Sequence, residues 1–138
     1  SWLGDGTGLT LLTGEAGEQR EARSGMRIVR LGMEGRISLI RSEIGDFATV
    51  AGKDSERILF RGRDELWYTC GVSGKNVSIV GNGLKGLTDP AVNPEGTHAV
   101  MIERDAESRN WPVVVELASG KKFPVKVERG RWLLPAWR

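Results

Sequence analysis

The chain is poor in the residues that build catalytic and metal centres. Its 138 residues include one cysteine, Cys70, and one histidine, His98. A single cysteine cannot form an internal disulfide, and one cysteine with one histidine cannot complete a closed zinc site. We therefore expect no metal and no cofactor, and any histidine-dependent mechanism must use His98.

Long apolar runs and linkers are also missing. No stretch approaches the roughly 20 apolar residues of a membrane-spanning helix, and no signal peptide is visible. We expect no membrane insertion. No linker rich in proline or serine divides the chain, which predicts one domain over residues 1–138, or two similar β-subdomains within it. The first residue is Ser1, which favours a domain excised or processed from a larger protein.

Glycine is abundant and punctuates short apolar runs. There are 19 glycines, and short apolar runs between closely spaced glycines are typical of strands and turns. The sequence predicts an all-β fold, a small barrel or two-sheet sandwich of about nine to eleven short, mostly antiparallel strands with little helix. The candidate strands are Leu9–Thr13, Met26–Leu31, Arg36–Arg41, Phe47–Ala51, Arg57–Phe60, Leu66–Val72, Asn76–Val80, Thr97–Glu103, Val113–Leu117, Phe123–Glu128 and Trp132–Leu134.

One hairpin and one long loop stand out near the C-terminal end. Val113–Leu117 and Phe123–Glu128 predict a hairpin, whose second strand lies at a sheet edge because Pro124 lacks an N–H. In that strand we expect Phe123, Val125 and Val127 to face the core. The stretch from Gly81 to Gly96 contains two prolines and predicts a long loop, a second candidate contact surface.

A catalytic interpretation depends on Ser73 or Cys70 acting with Asp89 and His98. The order Ser73, Asp89, His98 is allowed, because the order of triad residues varies among folds. The pattern Gly-Val-Ser-Gly is not a nucleophile elbow, and cysteine is often buried as a small hydrophobic residue. We favour a buried strand ending in a hairpin turn, and a protein that is not an enzyme. His98 is expected at the rim of the core.

Positive charge is concentrated at the end of the chain. The net charge is only +2, yet Lys121 to Arg138 holds six basic residues and one acidic residue. The last part of this segment, Leu133 to Trp137, is apolar. The candidate contact residues are Trp132, Leu134, Trp137 and Arg138. Tryptophan and arginine are enriched in protein interfaces. The leading prediction is a non-enzymatic interaction or assembly module that binds another protein or its own copies through this segment.

Nucleic-acid binding is the first alternative to a protein interface. Basic side chains neutralise phosphates, and aromatic rings stack on bases. The residues that would serve this function are Lys121, Lys122, Lys126, Arg129, Arg131 and Trp132. The second alternative is the small hydrolase described above.

Overall fold

The computed structural model describes residue 3 and residues 5–14, 26–51 and 57–125, apart from the side chains of residues 46 and 47. These residues form ten strands and no helix, which confirms the all-β prediction. Within them, therefore, no helix could span a membrane. The strands are β1 (Gly8–Thr13), β2 (Met26–Gly32), β3 (Ile37–Ala51), β4 (Arg57–Gly62), β5 (Trp67–Gly71), β6 (Ser78–Ile79), β7 (Leu87–Val92), β8 (His98–Arg104), β9 (Asn110–Glu116) and β10 (Lys122–Pro124).

The described strands form two antiparallel sheets. One sheet has six strands in the order β1-β2-β3-β4-β5-β6, and the other has four in the order β10-β9-β8-β7. This confirms the two-sheet architecture; no closed barrel is formed by the described strands. Strand β3 has 15 residues, longer than expected, and replaces two of the predicted strands.

Strand β3 bends near its middle. Its residues 37–44 pair with β2, whereas residues 44–51 pair with β4, and the second register shifts between Ile44 and Ala48. A Cβ at Gly45 would lie 2.8 Å from the carbonyl oxygen of Gly62. A glycine inside a strand often marks a sharp bend or a close backbone approach.

The bend folds the six-stranded sheet over itself. In a flat sheet, β3 and the β5–β6 turn would lie about 10 Å or more apart, because adjacent strands are about 4.8 Å apart. A Cβ at Gly74, in that turn, would instead lie 2.1 Å from the carbonyl oxygen of Ile40. The described residues therefore form three layers. The first layer is β1, β2 and residues 37–44 of β3, the second is residues 44–51 of β3 with β4–β6, and the third is β7–β10.

Two apolar cores lie between the layers. The central core joins the second and third layers, and there the Trp67 Nε1 donates a hydrogen bond of 3.2 Å to the Leu87 carbonyl. The second core joins the first and second layers. Because the second layer is covered on both sides, its strands are apolar on both faces. The second core consists of Ile28, Ile44, Ile58, Phe60 and Cys70, surrounded by partly buried side chains.

The predicted long loop from Gly81 to Gly96 is wrong. Residues 81–96 contain β7, which pairs with β8. The prolines made the stretch resemble a loop. Pro90 lies where the register of this edge strand shifts, and an edge or bulged strand tolerates the missing N–H.

The β9–β10 hairpin and the edge position of Pro124 are confirmed. The expected burial of β10 is wrong, because Phe123 is 40% exposed and Val125 is 36% exposed. Phe123 pairs with Val114, on the face of the third layer that points away from the central core. Val127 lies outside the described residues.

His98, expected at the rim of the core, lies on the face of β8 that points away from the central core. Ala99 and Met101 pack in the central core, so the alternating residues His98, Val100 and Ile102 belong to the opposite face. Both faces of this strand carry apolar side chains. Alternation therefore separates the two faces but does not tell which one is inside.

Candidate interaction surface

The outer face of the first layer, which points away from the second core, is aliphatic. Each of its three strands contributes two side chains, and the strand registers place these opposite one another. One row is Leu9, Leu31 and Ile37, and the other is Leu11, Val29 and Leu39. We call these six side chains the outer patch.

Three of the six side chains of the outer patch, Leu11, Ile37 and Leu39, are exposed, and Leu9 and Leu31 are partly buried. Ile37 is 67% exposed and Leu39 is 60% exposed, whereas Val29, in the middle strand, is 9% exposed. Met33, in the β2–β3 turn beside the patch, is 69% exposed. Single exposed apolar side chains are ordinary, but contiguous ones mark protein contacts.

The alternation within each strand produces the patch. In β1 and β3, Leu9 and Leu11 flank Thr10, and Ile37 and Leu39 flank Ser38. Successive side chains of a strand point to opposite faces, so Leu9, Leu11, Ile37 and Leu39 face outward. On the other face Thr10 is buried, whereas Ser38 is exposed. Sequence reasoning identified these strands but not the patch. The matching alternation in neighbouring strands was the available signal.

The C-terminal contact residues predicted from the sequence lie outside the described residues. These are Trp132, Leu134, Trp137 and Arg138. The last described strand, β10, borders a groove of about 470 Å³ that Trp111, Pro112 and Pro124 help to line. The groove is lined by Pro124 and Val125, the last residues described before the C-terminal segment.

A carboxylate orders one side of this groove. Asp105 accepts a 2.8 Å hydrogen bond from Trp111 Nε1 and a 2.7 Å bond from Arg109 Nε. The hydrogen bond from Trp111, followed by those from Arg109, holds the pKa of Asp105 well below its usual value. The Arg109 guanidinium also lies 5.7 Å from the Trp111 ring centroid. The tryptophan is therefore fixed in orientation at the groove wall.

The two described lysines of the nucleic-acid alternative do not form one cationic surface. Lys122 Nζ lies 2.5 Å from Glu103 Oε1, which offsets its charge. Lys121 lies over the Phe123 ring, 5.0 Å from its centroid. Lys122, the first residue of the edge strand β10, lines the groove, whereas Lys121, which precedes the strand, does not. Lys126, Arg129, Arg131 and Trp132 lie outside the described residues.

The four residues of the hydrolase alternative are not brought together by any described contact. Cys70 is fully buried in the second core, and this burial raises the pKa of its thiol, an effect partly opposed by Arg41 and Arg57. His98 belongs to the far face of the third layer, and its Nδ1 lies 2.9 Å from Thr97 Oγ1.

Ser73 and Asp89 occupy separate backbone irregularities. Ser73 is exposed in the β5–β6 turn, and Asp89 lies at the register shift of β7 with φ of 49°. The expectation that Cys70 lies in a buried strand leading to a turn is confirmed.

A cleft of about 430 Å³ opens between the second and third layers. Arg57 Nη2 donates to Thr69 Oγ1 at 2.7 Å and to Ser78 Oγ at 3.1 Å. The two hydroxyl oxygens are 2.9 Å apart. These polar groups satisfy one another, so the cleft gives no clear indication of a ligand.

Comparison with known proteins shows a likeness in fold. The structure of putative TolB from Agrobacterium tumefaciens is similar, with a TM-score of 0.69 and 17% sequence identity over 89% of this chain. The chain spans only 46% of that protein's length. The crystal structure of TolB from Acinetobacter baumannii gives a TM-score of 0.47 and 13% identity, with 91% of this chain and 43% of that one covered.

The comparison in sequence finds nothing further. No family model matches the chain, and no curated protein matches it. At 17% identity the likeness to the Agrobacterium protein is one of fold.

Proposed function

We propose that this chain is a non-enzymatic protein-interaction module that contacts its partner through the outer patch. The observation that carries the proposal is the pair of aliphatic rows, with Ile37 and Leu39 mostly exposed. A water-facing antiparallel sheet is usually polar on its solvent side. The outer face of the first layer departs from that pattern.

The first layer has the composition of an internal layer. Strand β4 lies in the middle layer, and its consecutive residues Ile58 and Leu59 point to opposite faces, each fully buried. Strand β2 has the equivalent pair, Ile28 and Val29. Ile28 is buried in the second core, whereas Val29 belongs to the outer patch. Such a strand fits a layer that is covered on both sides.

The C-terminal segment is the second contact that we propose. Trp132, Leu134, Trp137 and Arg138 combine large aromatic, aliphatic and guanidinium side chains, the types that dominate binding energy in interfaces. The support for this contact comes from the sequence.

Site-specific photocrosslinking tests the proposal. A benzophenone amino acid at position 39 is compared with the same group at position 75, where Lys75 is exposed in the β5–β6 turn, and with one at position 137. We expect protein adducts at position 39 that disappear when Ile37→Glu is added, and none at position 75. The support lies in this dependence on Ile37, because capture alone does not identify a patch.

Adducts at position 39 no stronger than at position 75 would overturn the role of the outer patch. Adducts at position 137 that survive Ile37→Glu would identify the C-terminal segment as a separate contact.

A further inference from the structure

We propose that residues 132–137 cover the outward face of the chain's own third layer, which is the face that points away from the central core. There they form a strand equivalent to β7. These residues lie outside the described part of the chain, and the described second and third layers supply the template for them. Because this face is separate from the outer patch, the inference goes beyond the proposed function and does not depend on it.

The third layer repeats the construction of the second. Strands β4, β5 and β6 of the second layer correspond to β8, β9 and β10 of the third, and they are joined in the same order. In the β4–β5 and β8–β9 turns, the first residue donates its N–H at 2.9 Å to the carbonyl four residues on; this residue is Gly62 in one turn and Asp105 in the other. The fourth residue of each turn has a left-handed φ, 66° for Glu65 and 63° for Ser108. The two turns thus match over a spacing of 43 residues, from 62 to 105.

The aromatic residues after these turns match as well. The Tyr68 hydroxyl donates a 2.6 Å hydrogen bond to the Asp64 carboxylate, and Trp111 Nε1 donates a 2.8 Å bond to that of Asp105. Positions 68 and 111 are again 43 residues apart. The second and third layers are therefore two copies of one structural unit.

Residues 132–137 have the position and the pattern of β7 in a further copy of this unit. Seven residues, 80–86, connect β6 to β7, and seven residues, 125–131, separate β10 from position 132. Strand β7 reads LTDPAV, and residues 132–137 read WLLPAW. Both stretches have a Pro-Ala pair at their fourth and fifth positions and an apolar residue at each end. We therefore expect residues 132–137 to pack on the third layer as β7 packs on the second.

The contacts of β7 show which side chains make this packing. Leu87, its first residue, is fully buried in the central core, and its carbonyl accepts the hydrogen bond from Trp67 of the second layer. Val92, its last residue, packs against the same core. Trp132 and Trp137 occupy these two positions in residues 132–137. We expect both rings to lie on the outward face of the third layer.

The outward face offers an apolar surface to these rings. The strand registers place Val100 and Phe123 on either side of Val114, and Phe123 is 40% exposed. A segment tethered next to this face has a high effective concentration there, which favours it over a separate protein. Leu134 stands where β7 has the half-buried, polar Asp89. This position therefore leaves Leu134 for the partner contact proposed for the C-terminal segment.

Intrachain photocrosslinking tests the contact without altering residues 132–137. A benzophenone amino acid in place of Phe123 is expected to form an intrachain adduct that peptide mass mapping places within residues 132–137. The same group at position 39, on the outer patch, is expected to give no adduct to these residues. The intrachain yield should stay constant from about 1 to 100 µM protein, because a tethered contact does not depend on concentration.

A matched pair of substitutions tests the equivalence with β7. Val114→Cys places a thiol on the covered face, and the fully buried Cys70 reports unfolding of the same chain. Trp132→Asp puts a charge where β7 has the buried Leu87, and it should speed the reaction of the introduced thiol with a thiol reagent by at least about tenfold. Leu134→Asp introduces the residue that β7 has at that position and should leave the rate unchanged.

No adduct within residues 132–137, or an adduct whose yield rises with protein concentration, overturns docking on the chain's own third layer. Equal acceleration by Trp132→Asp and Leu134→Asp, or by neither, overturns the equivalence with β7. If Trp132→Asp also makes Cys70 reactive, that variant is unfolded, and the crosslink from position 123 decides. Adducts from position 39 to another protein support the proposed function whatever the result at position 123, so the two proposals can fail separately.

Discussion

Replacing Gly74 by alanine tests whether the six-stranded sheet really folds over itself. Gly74 has φ of +77°, and Gly35, in the β2–β3 turn, has φ of +80°. Each N–H donates to the carbonyl three residues earlier, at 2.8 Å for Gly74 and 2.9 Å for Gly35. The turns differ in their surroundings. A Cβ at Gly74 would lie 2.1 Å from the Ile40 carbonyl oxygen, whereas a Cβ at Gly35 would meet nothing within 4 Å.

Both substitutions therefore place an alanine in the left-handed backbone region, but only Gly74→Ala also creates a steric clash. An alanine in the left-handed region costs about 1–2 kcal/mol, and Gly35→Ala should lose about that much free energy of unfolding. Gly74→Ala adds a collision with backbone, which cannot rotate away, and overpacking typically costs about 1–3 kcal/mol more. We expect a total loss of about 2–5 kcal/mol for Gly74→Ala, a large part of the roughly 5–15 kcal/mol available to a native domain.

Urea denaturation followed by circular dichroism measures both losses. The dependence of the unfolding free energy on urea concentration should be the same for both variants, so that the midpoints report stability alone. Equal losses for Gly74→Ala and Gly35→Ala would refute the reasoning, because the β5–β6 turn would then not touch β3. The first and second layers would not be packed as described.

Three further predictions concern individual side chains. Leu59→Ala should cost about 2–5 kcal/mol because Leu59 is fully buried, and Leu39→Ala less than about 1 kcal/mol because Leu39 is 60% exposed; similar losses in urea would contradict the assignment of faces. The lowered pKa of Asp105 stabilises the fold above the ordinary carboxyl pKa, and this contribution disappears as the pH falls through the lowered value. Asp105→Asn should therefore destabilise the protein at neutral pH and less in acid, as measured by urea midpoints against pH; an equal loss at every pH would contradict this. Cys70 should react with a thiol reagent only after unfolding, because the thiol is buried and its pKa is raised; rapid reaction of the folded protein would contradict it.

Strand positions could be predicted from the sequence because glycine and alternation are local signals. The hairpin of β9 and β10 and the edge position of Pro124 depend on a turn and on one missing N–H, and both are visible in adjacent residues. Strand β7 was missed for the same local reason. Two prolines in a short stretch usually indicate a loop. They are compatible with β7 because this strand lies at a sheet edge and its register shifts at Pro90, and neither feature is visible in the local sequence.

The arrangement of layers could not be predicted because it depends on one bend. The sequence shows two candidate strands, Arg36–Arg41 and Phe47–Ala51, and the structure joins them in β3. Whether these halves lie side by side or face to face depends on Gly45, which approaches the backbone of Gly62. The hydrolase alternative depended on the same arrangement of layers, because the layers decide that Cys70 lies in the second core and that His98 lies on the far face of the third layer.

Consecutive apolar residues in a strand carry information about the number of layers. A strand with one covered face needs an aliphatic side chain only at alternate positions, whereas Ile58 and Leu59 in β4 serve two cores. The pair Ile28 and Val29 in β2 follows the same pattern, although among the described residues only Ile28 belongs to one of the two cores. Hydrophobic stabilisation scales with the apolar area removed from water, so exposed aliphatic rows leave part of that stabilisation unused in the isolated chain. A docked sheet would recover it, and this is the physical basis for expecting a partner at the outer patch rather than at the polar cleft beside Arg57.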